Sequence, residues 1–189
     1  GVSDDYAVLF QQGGASQQFA AVPLNLSLEA DNADYLVTGQ WSKKAFAEGA
    51  RFVNAHCVAD GSADNFMSLP PSDDWSISGG RYFHYCPNET IGGLEFSTIP
   101  AVGSPLVADM SSTLLSRPID VTQFGVIYAG AQKNIGPAGL ALVLVRKELL
   151  GRARPSCPAM LNWDTAAANG SMYNTPPTFA VYLTGLVFE

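Results

Sequence analysis

The apolar positions of this chain fall into short runs rich in β-branched and aromatic residues, separated by stretches in which they recur with helical spacing. The runs predict strands at Ala7–Phe10, Tyr35–Thr38, Arg51–Cys57, Tyr82–Tyr85, Leu106–Asp109, Gly125–Tyr128 and Leu140–Val145. The helical spacing predicts helices at Gly14–Ala21, Ser42–Gly49, Lys147–Leu150 and Thr178–Phe188. Several strand runs are apolar at every position rather than alternating, the pattern of a parallel sheet covered on both faces. The fold class expected is therefore α/β, a three-layer α/β/α arrangement around a mostly parallel mixed sheet. Asp60–Gly80, with its paired Pro70-Pro71 and several Ser and Asp, reads as one long loop. No internal repeat or low-complexity tract interrupts the pattern.

Composition narrows the class. The 189 residues suffice for one domain with a sizeable core, or for part of a larger enzyme. Hydrophobic residues make up 47% and charged residues 14%, which excludes a disordered chain. The net charge of −7, with ten Lys and Arg scattered rather than blocked, argues against a general nucleic-acid binder. Cys57, Cys86 and Cys157 are odd in number and form no C-x-x-C spacing, so neither a redox pair nor a metal site is read from them. The first residues lack the pattern of a secretory signal, and no apolar stretch is long enough to cross a bilayer. A soluble cytoplasmic protein is the expectation. The apolar helical pattern at Leu186-Val187-Phe188-Glu189 stops without a cap, which reads as a fragment of a longer polypeptide.

Chemistry is sought where parallel strands end, because active sites in such sheets lie beyond the carboxyl ends. Lys133 follows one strand run and precedes another, in Ala129-Gly130-Ala131-Gln132-Lys133-Asn134-Ile135-Gly136-Pro137-Ala138-Gly139. An amine at the mouth of a buried strand is partly desolvated and suited to attack a carbonyl as an imine-forming lysine. The plain alternative is a surface lysine in a Gly-rich turn. After Ala7–Phe10 comes Gly13-Gly14-Ala15-Ser16, whose free backbone N–H groups suit a phosphate. It also reads as a simple turn with Ser16 as a helix cap. It is neither a G-x-G-x-x-G fingerprint nor a nucleotide-triphosphate loop. Asp109, ending Leu106-Val107-Ala108-Asp109, is either a helix cap or a carboxylate that holds a protonated pyridine nitrogen. A lysine, a carboxylate and a phosphate cradle on three strand ends converge on pyridoxal 5'-phosphate. His84 and His56 read as packed structural residues, Cys86 as a small core residue, and Arg117 as either an anion contact or a loop salt bridge.

Longer motifs carry a resemblance. Gln18-Phe19-Ala20-Ala21-Val22-Pro23-Leu24-Asn25-Leu26, His84-Tyr85-Cys86-Pro87-Asn88-Glu89-Thr90-Ile91, Leu115-Ser116-Arg117-Pro118-Ile119-Asp120-Val121, the Lys133 motif and Asn169-Gly170-Ser171-Met172-Tyr173-Asn174-Thr175-Pro176-Pro177-Thr178 occur in the order of the phosphoserine aminotransferase family, which the chain resembles end to end. The resemblance implies a fold-type-I pyridoxal-phosphate enzyme of the class-V aminotransferases. It implies a homodimer that exchanges an amino group between glutamate and 3-phosphohydroxypyruvate in serine biosynthesis. A related step of vitamin B6 synthesis is implied as a second reaction. Residues 1–189 would be part of the large cofactor-binding domain.

By the same resemblance Lys133 bonds the cofactor and moves the proton, and Asp109 holds its ring nitrogen. Trp41 stacks on the ring, although from spacing alone it reads as a core aromatic. Thr90 lies near the 3′-oxygen, and Ala15, Ser16 and Gln132 lie at the phosphate. Asn174 and Thr175 reach the phosphate of the neighbouring subunit's cofactor. Ser16 departs from the arginine that similar bacterial members tend to carry, which puts a side-chain charge at the phosphate in doubt. The family's substrate-binding Arg and His residues fall before residue 1 and after residue 189, so the isolated chain is expected to be impaired or inactive. Two other classes fit the residues. One is a different fold-type-I enzyme, such as a cysteine desulfurase; the other is a non-catalytic cofactor-binding or dimerisation module.

Overall fold

In the computed structural model, which describes residues 1–189, the uninterrupted apolar runs form the middle of a seven-stranded sheet. The elements are β1 (Tyr6–Gly13), α1 (Ala15–Leu26), β2 (Asn32–Val37), α2 (Gln40–Gly49), β3 (Asn54–Asp60), β4 (Phe83–Tyr85), β5 (Asn88–Glu89), β6 (Leu94–Glu95), β7 (Leu106–Asp109), β8 (Val126–Gly130), α3 (Ala131–Asn134), β9 (Gly139–Arg146), α4 (Trp163–Ala168) and α5 (Thr178–Phe188). The sheet order is β1-β9-β8-β7-β4-β2-β3, and β5 with β6 forms a separate small hairpin. Only β9 runs against its neighbours; the other adjacent pairs are parallel. This is the mostly parallel mixed sheet expected from the sequence.

Alternate residues of the central strands enter two different cores, which explains why the runs are apolar throughout. Leu106, Ala108, Ile127, Ala129, Leu140, Leu142 and Leu144 face one core; Val107, Val126, Tyr128, Val143 and Val145 face the other. The second core is closed by Phe19, Ala21, Val22 and Leu26 of α1, Ala45 of α2, and Trp163 and Ala166 of α4. The first is closed by Ala180 of α5, Ala131 of α3, and Met110, Leu114 and Phe124 from the segment between β7 and β8. Three layers result, with the thicker helical layer on the α1 side. Each fully buried aliphatic side chain contributes about 1.5–3 kcal/mol relative to exposure, so these strands fix the scaffold on which the loops sit.

Several boundaries differ from the sequence pattern, each for a local reason. The predicted helix Gly14–Ala21 begins one residue later and runs on through Pro23 to Leu26. Pro23 cannot supply an N–H to the turn before it. Its carbonyl, however, accepts from Ser27 N–H at 3.2 Å and Ser27 Oγ at 2.8 Å, and Leu24 and Leu26 are buried. The predicted strand Arg51–Cys57 starts at Asn54, because Phe52 and Val53 donate their N–H groups to Gly49 O and close α2. Lys147–Leu150 is a single 3-10 turn, Lys147–Leu149, ended by Gly151 at φ +75°. Helix α4 was not anticipated; Asn162 Oδ1 caps it by accepting from Asp164 N–H at 2.8 Å. The long loop after β3 contains two 3-10 turns. It is pinned by the buried Asp34 carboxylate, which accepts from Ser78 Oγ at 2.7 Å and from the N–H groups of Ser78, Gly79 and Gly80.

Candidate active site

Strands β1, β2, β4, β7 and β8 all release their chains at one edge of the sheet, and the segments that follow carry the chemistry. Gly130 ends β8 and caps α3, whose third residue is Lys133. This short helix was not anticipated either, since four residues are too few to show a period. Lys133 is half-buried, and its Nζ donates to Thr90 Oγ1 just after β5. The same nitrogen lies 4.5 Å from the centre of the Trp41 ring in the first turn of α2. Lys44, one turn further along α2, lies 4.7 Å from that ring centre. Lys133, Thr90 and Trp41, far apart in sequence, thus form one cluster in which an ammonium group lies on an aromatic face.

Asp109, at the end of β7, is 6% exposed. Its Oδ1 accepts from Ser111 Oγ at 2.6 Å and from Ser111 N–H at 3.0 Å, and Oδ2 has no partner within the chain. Burial pushes its carboxyl above the usual carboxylate range; the Ser111 bonds and the charge of Lys133 oppose that shift, and Glu89 adds to it.

The Gly13-Gly14-Ala15-Ser16 turn, read from sequence as a phosphate cradle, lies at the start of α1. Gly14 is the cap, not Ser16, and makes no side-chain bond; the first turn holds no acidic residue. The N–H groups of Ala15 and Ser16 have no carbonyl one turn back to bond. Gly130 brings Gln132 to the same place: a Cβ on Gly130 would lie 2.9 Å from Gln132 Oε1 and 3.1 Å from Ala15 N. Gly130, lacking a side chain, therefore lets the start of α1 at Ala15 and the amide of Gln132 come close together. Free amide donors, an unpartnered carboxylate oxygen, an amine and an aromatic face at one sheet edge fit the parts of pyridoxal phosphate.

Asn174 and Thr175 stand apart from this cluster. Asn174 Nδ2 donates to Gln12 Oε1 at 3.3 Å and Gln12 Nε2 donates to the Thr175 carbonyl, so the segment is tied to the end of β1. Both residues are exposed and make no hydrogen bond to the Lys133 group.

The remaining titratable residues have structural settings. His84 Nε2 lies 2.7 Å from Tyr128 Oη, and burial pushes its imidazole down to about 3. Burial raises the Cys86 thiol well above its ordinary value, the charges of Asp109 and Glu89 adding to this, which leaves it inert. Arg117 pairs with Glu95 at 3.2 Å and donates to Phe96 O at 2.9 Å, the loop salt bridge rather than an open anion contact. Two residues of the site had no role in the sequence reading. Ser111 follows Asp109 by two, an Asp-x-Ser spacing that signals a local side-chain turn. Glu89 accepts from the N–H groups of Trp41 at 2.9 Å and Ser42 at 2.8 Å, and at a separation of 47 to 48 residues no local pattern announces it.

The architecture and this strand-edge cluster define a member of the aminotransferases. The class-V aminotransferase family pattern matches residues 1–189, and the chain belongs to that family. It is 58% identical over 190 residues to the phosphoserine aminotransferase of Ectopseudomonas mendocina and to that of Pseudomonas aeruginosa, with all of this chain and 53% of each relative covered. The chain thus spans about half the length of the curated relatives it matches. Among solved structures, the pyridoxal-phosphate-bound phosphoserine aminotransferase of Trichomonas vaginalis superposes with a TM-score of 0.94 at 45% identity, over 99% of this chain and 53% of that one. The phosphoserine aminotransferase of Bacillus circulans subsp. alkalophilus gives 0.93 at 44%, over 98% of this chain and 52% of that one.

Proposed function

We propose that residues 1–189 are the greater part of the pyridoxal-phosphate-binding large domain of a phosphoserine aminotransferase. The whole protein would be a cytoplasmic homodimer that transfers an amino group between glutamate and 3-phosphohydroxypyruvate. The observation that carries the reading is the convergence of Lys133, Thr90, Trp41 and Asp109 beside the open first turn of α1. The 58% identity to named phosphoserine aminotransferases favours these substrates over those of other family members.

Each residue then has work defined by its atoms. The N–H groups of Ala15 and Ser16 and the amide of Gln132 hold the phosphate, aided by the positive end of the α1 dipole. Trp41 covers the ring and Thr90 donates near its hydroxyl oxygen. Asp109 Oδ2 accepts the ring N–H and keeps that nitrogen protonated. When bound, pyridoxal phosphate draws electrons from the substrate Cα through its protonated ring, which makes that carbon acidic. Lys133 Nζ would take the proton from the substrate Cα as base and, as the resulting acid, give it to the cofactor's C4′. Asn174 and Thr175 are assigned to the cofactor phosphate of a second subunit. Turnover belongs to the longer polypeptide, with residues 1–189 alone impaired.

The test adds pyridoxal phosphate to the full polypeptide and to its Lys133→Ala variant and follows visible absorbance and 2-oxoglutarate formation from glutamate and 3-phosphohydroxypyruvate. The expected result is a yellow band in the parent alone and a loss of turnover on the order of ten-thousandfold in the variant. Equal spectra would remove Lys133 from its role.

A further inference from the structure

Asp109 and Lys133 leave the sheet on adjacent strands, and a single buried hydroxyl joins the two exits. Ser111, 2% exposed, donates from Oγ to Asp109 Oδ1 at 2.6 Å. The same Oγ accepts the Gly130 N–H at 2.9 Å. A hydroxyl has one hydrogen and two lone pairs, so these two bonds use its donor and leave one lone pair. Gly130 is the residue from which α3 and Lys133 start, and its missing side chain lets Ala15 and Gln132 approach it.

We infer that Ser111 is a positioning residue, which fixes the Asp109 carboxylate with Oδ2 as its unbonded oxygen and clamps it to the turn that launches Lys133. Two groups of the site, the carboxylate and the lysine helix, are then held in register by one side chain. The bonds run in one direction, Gly130 N–H to Ser111 O–H to the Asp109 carboxylate, so each polarises the next. Removing the hydroxyl leaves Oδ1 with the Ser111 backbone N–H alone and leaves the buried Gly130 N–H without its acceptor. The carboxylate then gains freedom about its terminal torsion, which is intrinsically broad. Burial already pushes the Asp109 carboxyl up, and the Ser111 bonds work against that shift.

The contact between Oδ2 and a ring nitrogen rests on the pyridoxal-phosphate reading, whereas the tie between Asp109 and Gly130 does not. Two measurements on the full polypeptide separate them. In cofactor-free protein, Ser111→Ala is expected to speed hydrogen exchange of the Gly130 amide about tenfold while the Val107 and Ala108 amides keep their rates, and Ser111→Thr is expected to restore it. With pyridoxal phosphate added, Ser111→Ala is expected to raise the dissociation constant about tenfold, as loss of a supporting partner does at other sites. Ser111→Thr should recover the affinity, and Ser111→Ala should cost less in an Asp109→Asn background. Unchanged Gly130 exchange in Ser111→Ala would overturn the clamp. So would equal weakening of cofactor binding with and without Asp109. Absence of any visible band in the parent protein would sink the functional reading instead, with the Gly130 exchange still deciding the clamp.

Discussion

Helices α1 and α2 begin at the same edge of the sheet, and their first turns are treated in opposite ways. The start of α2 is closed from within. Glu89, 1% exposed, accepts the N–H groups of Trp41 and Ser42, while Ser42 Oγ accepts those of Thr38 at 2.8 Å and Gly39 at 3.0 Å. Gly39 is required there because a Cβ would lie 2.4 Å from the Glu89 carboxyl carbon. The start of α1 has a glycine cap, no side-chain bond to that cap and no acidic residue. A helix dipole filled by the protein's own carboxylate is a structural joint, whereas one left open beside Gly130 and Gln132 is suited to an outside anion. The two termini share one geometry and differ in who supplies the charge.

Breaking the closed terminus should cost folding stability. Glu89→Ala removes the acceptor of two largely buried amide donors, and the expected loss is about 3 kcal/mol, from the roughly 1–3 kcal/mol carried by each unsatisfied buried group. Urea denaturation of the cofactor-free protein measures it. Glu89→Gln, which keeps one acceptor oxygen, is expected to fall between the parent and Glu89→Ala. Full stability in Glu89→Ala would show that α2 does not depend on this carboxylate.

Breaking the open terminus should cost binding instead. Gly130 has φ −70°, a conformation any residue adopts, so Gly130→Ala is permitted by the backbone. Its new methyl would push on Gln132 Oε1 and Ala15 N and displace them. The expected result is a dissociation constant for pyridoxal phosphate raised on the order of tenfold or more, with a stability change of about 1 kcal/mol. Titration of the visible band and thermal unfolding separate the two readouts. An unaltered affinity would place the phosphate elsewhere.

The same contrast marks what could be read in the sequence. The central strands were legible because two cores demand apolar residues at every position; Leu106–Asp109 occupies the span expected of it. The α1 terminus was legible too, since the strand, Gly13-Gly14 and the helix follow one another directly. Helix α1 outran its expected end because burial of Leu24 and Leu26 and the bonds to Pro23 O overrode the local penalty of proline. The α2 terminus was illegible because its cap arrives from Glu89, more than forty positions away. Lys133 and Asp109 stand out as candidates at their strand ends, whereas Ser111, two residues from Asp109, does not. The bond from Gly130 N–H that gives Ser111 its meaning exists only once β7 and β8 are paired.

If α1 holds phosphate through backbone donors and its dipole alone, a nearby positive side chain should add to that field rather than replace it. Ser16 is exposed in the first turn, where a long side chain has room to reach a bound anion. Ser16→Arg is therefore expected to tighten pyridoxal-phosphate binding severalfold, within the roughly 0.3–1 kcal/mol typical of exposed charge interactions at helix ends. The gain should shrink as salt is raised, because the added charge is solvent-facing. The backbone share should survive the same salt titration in the parent. A salt-independent gain would mean that the arginine packs against the cofactor instead of acting through its charge. A loss of affinity would mean that the amide donors of α1 need the space that Ser16 leaves.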